Sequence, residues 1–107
     1  MAKAEIHAGV CGYTTTVKAT ALSRREVEVS LQSDCPDICA LAGTLTKVDA
    51  YKEISCRGGI TSIINNGLKH CAHAACPVPV GIVKAVEVAA KLALPKDVSI
   101  RVSDENE

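Results

Sequence analysis

The chain has 107 residues, 48% of them apolar, no Phe or Trp, and a formal net charge of zero. That length suits one domain, 1–107, with an aliphatic core over about 4–102 and an acidic tail, 103–107, that frays. With no basic run and only Tyr13 and Tyr51 as aromatics, the chain lacks the phosphate-tracking patch and stacking platform of a nucleic-acid binder.

Three strands are expected first. Ile6, Ala8 and Val10 alternate with polar residues over 4–10, YTTTVKATA spans 13–21, and EVEVSLQ spans 26–32. The short links Cys11-Gly12 and Leu22-Ser23-Arg24 make them an antiparallel meander. Pro36 then starts a helix over 36–46, with Ile38, Leu41 and Leu45 at helical spacing. A loop with a short turn covers 47–59, and Ile60, Ile63, Ile64 and Leu68 mark a helix weakened by Asn65-Asn66-Gly67. Pro77 opens a strong helix to Leu94. Its charged residues Lys84, Glu87 and Lys91 fall within about 60° of arc, so it is expected to lie deep against the sheet. After Pro95, VSIRV alternates as an extra final strand over 97–102. The fold class is therefore α+β, a three-strand antiparallel meander packed by C-terminal helices.

No segment reaches about eighteen uninterrupted apolar residues, so no membrane span is expected. MAKAEIHAGV has no apolar signal core, which points to a cytoplasmic chain. In that reducing setting the six cysteines read as metal-binding or catalytic rather than as disulfides. A hairpin centred on Ser23 sets Cys11 opposite Cys35, on strands about 4.8 Å apart. Cys35 and Cys76 each precede a proline at a helix start, where the helix dipole favours a thiolate. Cys11, Cys35 and Cys76 are thus expected to converge on one metal, and thiolates suit Zn²⁺ or an iron–sulfur cluster. His73, three residues before Cys76, and Cys39, one turn after Cys35, are candidate fourth ligands, with Cys71 and His70 near but less constrained and Cys56 on a loop that could close over the site. Free cysteine also fills cores, and that is the favoured reading for Cys71 and Cys39 as packing residues. Cys56 reads as a surface thiol, His7 and His70 as structural or solvated, and Asp34 and Asp37 as acids stabilised at a helix start.

These features resemble the iron–sulfur cluster scaffold proteins, the IscU type and the N-terminal domain of NifU. That family has a three-strand antiparallel sheet followed by helices. One cysteine stands in a Cys-Gly segment before a strand, a second at a helix start after the last strand, and a third at the start of a long C-terminal helix. Cys11-Gly12, Cys35 in SDCPDICALA and Cys76 in HAACPVPVGIVKAVEVAA look like those positions, and the similar layout covers roughly residues 5–92. Tyr13 stands where the scaffolds usually carry an Asp associated with cluster transfer, and Ala75 where they often carry a His. The chain is also similar to the TSCPD-type cysteine domain, and as a whole it looks like a small uncharacterised family from anaerobic microbes.

The resemblance implies a cluster scaffold or carrier, working with a protein that donates or accepts the metal or cluster, and the sequence favours such a role over an enzyme without deciding between them. Two other classes compete with it. One is an enzyme using Cys76 or Cys35 as a nucleophilic or redox thiolate. The other is a structural or regulatory interaction domain with buried cysteines. Neither a glycine-rich phosphate loop nor a pair of carboxylates placed for acid–base work is present. Oligomerisation is left open.

Overall fold

A computed structural model describes residues 1–105. The expected fraying of Asn106 and Glu107 lies outside the described residues. The fold is α+β, as the sequence indicates, with one four-stranded antiparallel sheet in the order β1-β2-β3-β4. The elements are β1 (Ala2–His7), β2 (Thr14–Ala21), β3 (Glu26–Ser33), α1 (Pro36–Ala42), β4 (Lys47–Asp49), α2 (Ala50–Glu53), α3 (Ser62–His70) and α4 (Val78–Ala89).

One face of the sheet carries Val17, Ala19, Val27, Val29 and Val48, all buried, and the helices lie over it. The other face carries Lys3, Glu5, Lys18, Glu28 and Gln32 into solvent. That is the ordinary division of an antiparallel sheet covered on one side. Val17, Val27, Ile38, Leu41, Ile63, Ile82 and Val86 form the centre of the core. Helix α4 packs on β1 and β2, α1 on β3, and α3 joins α1 to α4.

The departures from expectation have local causes. β1 ends at His7 because Gly9 and Gly12 take φ of 89° and 79°, conformations that fold residues 8–13 into a hairpin loop. Val10 therefore projects into solvent instead of extending the strand. The second hairpin pairs Thr15 with Ser33 and Val17 with Leu31, which centres it on Arg24, one residue later than expected. Within 47–59 the chain forms β4 and α2 rather than a plain loop, so the sheet has four strands. The first helix stops at Ala42, before Gly43, yet Leu45 still reaches the core.

Helix α4 ends at Ala89 rather than Leu94. Lys91 takes a left-handed φ of 62°, and Leu92 N–H donates to the Glu87 carbonyl at 2.8 Å, which closes the last turn. It also buries one face rather than nearly its whole circumference: Val80 is exposed, and Val83 and Val88 are half-buried. The expected final strand over 97–102 is not formed. Residues 94–104 are irregular, and all of them are exposed. Alternation alone does not make a strand, because a strand needs a hydrogen-bonded neighbour. None of the helices among the described residues is long and apolar enough to cross a membrane.

Candidate functional site

The sheet has two distinct ends. His7 pairs with Thr14, and Thr15 pairs with Ser33, so the β1–β2 loop and the start of α1 share one end. Helix α4 begins at that end too, because its early residue Gly81 rests directly against Ile6 near the end of β1. Gly67 of α3 rests against Pro79, which brings the last turn of α3 to the same place. Four segments bearing cysteine thus meet at one end of a single sheet.

Ser33 organises the first of them. Its hydroxyl accepts from buried Thr15 Oγ1 at 2.9 Å and from Cys35 N–H at 3.1 Å. Cys35 is the N-cap of α1, as expected, but its side chain makes no capping hydrogen bond. The thiol is left half-buried against the core edge. Asp37, in the first turn of α1, accepts from Ala72 N–H at 3.2 Å and so ties the segment after α3 to the start of α1. Cys71 caps the end of α3, its N–H donating to the Gly67 carbonyl at 2.8 Å. Cys76 follows a short turn in which its N–H donates to the His73 carbonyl at 3.3 Å. It stands one residue outside the N-cap of α4, which is Pro77.

Cys71 lies within electrostatic range of Cys76 and, more weakly, of Cys35. Burial pushes the Cys71 thiol up to about 12, and Cys76, the Asp37 carboxylate and Cys35 push in the same direction. Cys71 packs against the core, as expected, but half-buried at its edge, where Cys76 and Cys35 act on its thiol. Cys39, by contrast, is not core. It is exposed, and its Sγ donates to the Ser33 carbonyl at 3.2 Å.

The other predicted ligands stand further out. Cys11 is at the expected end of the sheet, but it is exposed on the hairpin loop and not opposite Cys35, because β2 begins at Thr14 and the register is displaced. His73 is exposed. Cys56 is exposed in the loop before α3, at the other end of a nine-residue helix about 13 Å long. His7 lies outside the cluster, its Nδ1 3.2 Å from Thr14 Oγ1. Among the described residues, no three His, Cys, Asp or Glu side chains are already arranged to hold a metal ion. The site brings thiols together without pre-forming a coordination sphere.

Sequence reasoning left Cys71 less constrained than the other ligands, and it missed Ser33 and the tie made by Asp37. A usable signal was present for Cys71, which follows Gly67 by one helical turn and precedes Cys76 by five residues.

The raised Cys71 value has a consequence for stability. Folded Cys71 holds its proton up to about 12, whereas an unfolded thiol releases it near 9.0. Between those values the folded state binds more protons, so this contribution is complete below pH 9 and is lost as pH rises toward 12. The metal-free protein should lose thermal stability across that alkaline window, and Cys71→Ser should lose less. Melting curves of both proteins at matched pH values provide the check, and parallel slopes would contradict the cluster as described.

A family model described as a family of unknown function (DUF6951) matches residues 2–102. The chain belongs to this family. No curated protein and no solved structure matches it. The family carries no assigned activity.

Proposed function

We propose that the protein is a cytoplasmic metal-binding protein that holds Zn²⁺ or an iron–sulfur cluster at the thiol end of its sheet, and that it acts as a scaffold or carrier rather than an enzyme. The observation that carries this reading is the setting of Cys71. Its ionisation is opposed by burial, by two neighbouring thiols and by a carboxylate. A bound cation reverses each electrostatic part of that opposition and stabilises several thiolates together. Cys35, Cys71 and Cys76 supply three soft donors from three separate segments. Cys11 is the fourth candidate, on a loop whose glycines let it fold over the site. Cys39 and His73 are the remaining alternatives. Closure requires side-chain rotation toward a common centre, with Zn–S bonds of about 2.3 Å in the zinc form. A donor or acceptor protein for the metal or cluster is the implied partner, and the resemblance to cluster scaffolds favours the same outcome.

Anaerobic purification with metal analysis and an absorption spectrum tests this. The expected result is stoichiometric metal that Cys35→Ser, Cys71→Ser and Cys76→Ser each lose, while Cys56→Ser retains it. Loss in Cys11→Ser with retention in Cys71→Ser would restore the trio of Cys11, Cys35 and Cys76 as the ligand set. A metal-free protein whose thiols all alkylate at one rate, with or without added Zn²⁺, would end the proposal.

The proximity of Cys71 to Cys76 favours one competing reading, a metal-free thiol centre for redox or nucleophilic chemistry. Its mark is a single cysteine alkylating far faster than the rest near neutral pH, in protein that contains no metal.

A further inference from the structure

The C-terminal segment 97–102 has the pattern of a strand and no strand beside it. Val98, Ile100 and Val102 are 62%, 80% and 91% exposed, and they alternate with Ser99, Arg101 and Ser103. The sheet has one long free edge, β1, which pairs only with β2. The opposite edge, β4, is three residues long. Along β1 the same alternation runs in the same phase: Ala2, Ala4 and Ile6 face the core side, and Lys3, Glu5 and His7 face solvent. Ala4 and Ile6 are only half-buried, so the apolar face is left incomplete at that edge.

We propose that residues 97–103 of one copy add as an antiparallel strand to β1 of a second copy, and that the exchange is reciprocal. Setting Arg101 opposite Glu5 places Ile100 opposite Ile6 and Val102 opposite Ala4, on the covered face. The same register places Ser99 opposite His7 and Ser103 opposite Lys3, on the open face. A slip of one residue would turn every apolar side chain to the wrong face. A slip of two in one direction would set Arg101 against Lys3, a like-charged pair that disfavours that register.

The occupant is a second copy for a geometric reason. The tail leaves α4 beside Ala21 and Ser23, at the end of the sheet where β1 begins. To pair antiparallel with its own β1 it must first reach the His7 end. That span of about 20 Å uses the fully extended length of residues 92–97 and leaves nothing for the reversal. A second copy imposes no such demand, and reciprocal exchange closes as a two-fold dimer that covers both free edges.

Sedimentation of the full chain in reductant and chelator tests this, since those conditions remove disulfide and metal bridges and keep the outcome separate from the metal reading. The expected result is a dimer whose fraction rises with concentration. Ile100→Glu should be monomeric with an unchanged far-ultraviolet circular dichroism spectrum. Glu5→Arg and Arg101→Glu should each weaken the dimer, and the two together should restore it. A wild-type monomer at every concentration would overturn the proposal, including one whose tail amides are protected from exchange by pairing within the chain. So would a dimer indifferent to Ile100→Glu, or a double charge reversal that restores nothing.

Discussion

Glu53→Ala is expected to lower the unfolding free energy by about 2–3 kcal/mol, although the residue is distant from every cysteine of the cluster. Glu53 is 4% exposed and ends α2. Its carboxylate accepts from Ile63 N–H at 2.7 Å and from Ser62 N–H at 3.2 Å. Those are the first two donors of α3, which no intrahelical carbonyl can satisfy. Thr61 Oγ1 accepts the next, from Ile64, and the Thr61 carbonyl accepts from Asn65. The start of α3 is therefore fully satisfied, with one negative charge at the positive end of its dipole. Alanine removes both acceptors and leaves Ile63 N–H, on a buried residue, without a partner. Glu53→Gln should cost about half as much, because one amide oxygen still accepts while the amide nitrogen faces a donor. Urea denaturation followed by circular dichroism measures the difference. A change below about 0.5 kcal/mol for Glu53→Ala would mean that water replaces the carboxylate and the cap is dispensable.

The strands show where sequence and structure part company. The strict alternation of EVEVSLQ and the Thr/Val-rich run before it were enough to place β2 and β3, because a half-covered sheet needs that period. The four-strand count was hidden. β4 is three residues long and holds its place by pairing with β3, a tertiary effect with no pattern in KVD itself. The extra strand expected over 97–102 has the right period but no paired strand among the described residues. Periodicity reports which faces a segment offers, not whether anything meets them.

At the candidate site, topology was legible and side-chain detail was not. Short links and two prolines were enough to bring Cys11, Cys35 and Cys76 to one end of the sheet. Which thiols touch depends on a hairpin centre displaced by one residue and on a close approach between α3 and α4. The displacement removes Cys11 from the position opposite Cys35. The close approach brings in Cys71, whose signal in the sequence is its spacing from Gly67 and Cys76. Asp37 was read as a helix-start acid, and it does sit in the first turn of α1, but its contact is with Ala72, 35 residues away. No local rule foresees a hydrogen bond of that span.

Gly67→Ala should destabilise the protein and also separate the thiols, against the prediction of helix propensity. Alanine is better than glycine in a helix interior by about 1 kcal/mol, so propensity alone predicts a gain. A Cβ on Gly67, however, would meet Cγ of Pro79 at 2.5 Å and its Cβ at 3.0 Å. The proline ring belongs to the backbone of the first turn of α4, and Val78 and Pro79 are both buried, so the ring cannot swing aside. Relief requires α3 and α4 to move apart. Overpacking of this kind costs about 1–3 kcal/mol, which offsets the propensity gain and, because the ring cannot move, leaves a net loss of up to about 2 kcal/mol. Because Cys71 follows Gly67 by one turn and Cys76 precedes Pro79 by three residues, the movement also parts these two thiols. Gly67→Ala should then lose metal capacity and flatten the alkaline stability slope. Pro79→Ala in the same chain removes the ring atom in the way and should recover both. Asn65→Ala, on the exposed side of α3, should gain a few tenths of a kcal/mol and leave the thiols undisturbed. Urea midpoints and metal stoichiometry of the four proteins decide the matter. If Gly67→Ala is stabilised like Asn65→Ala and keeps its metal, the contact between α3 and α4 does not set the geometry of the site.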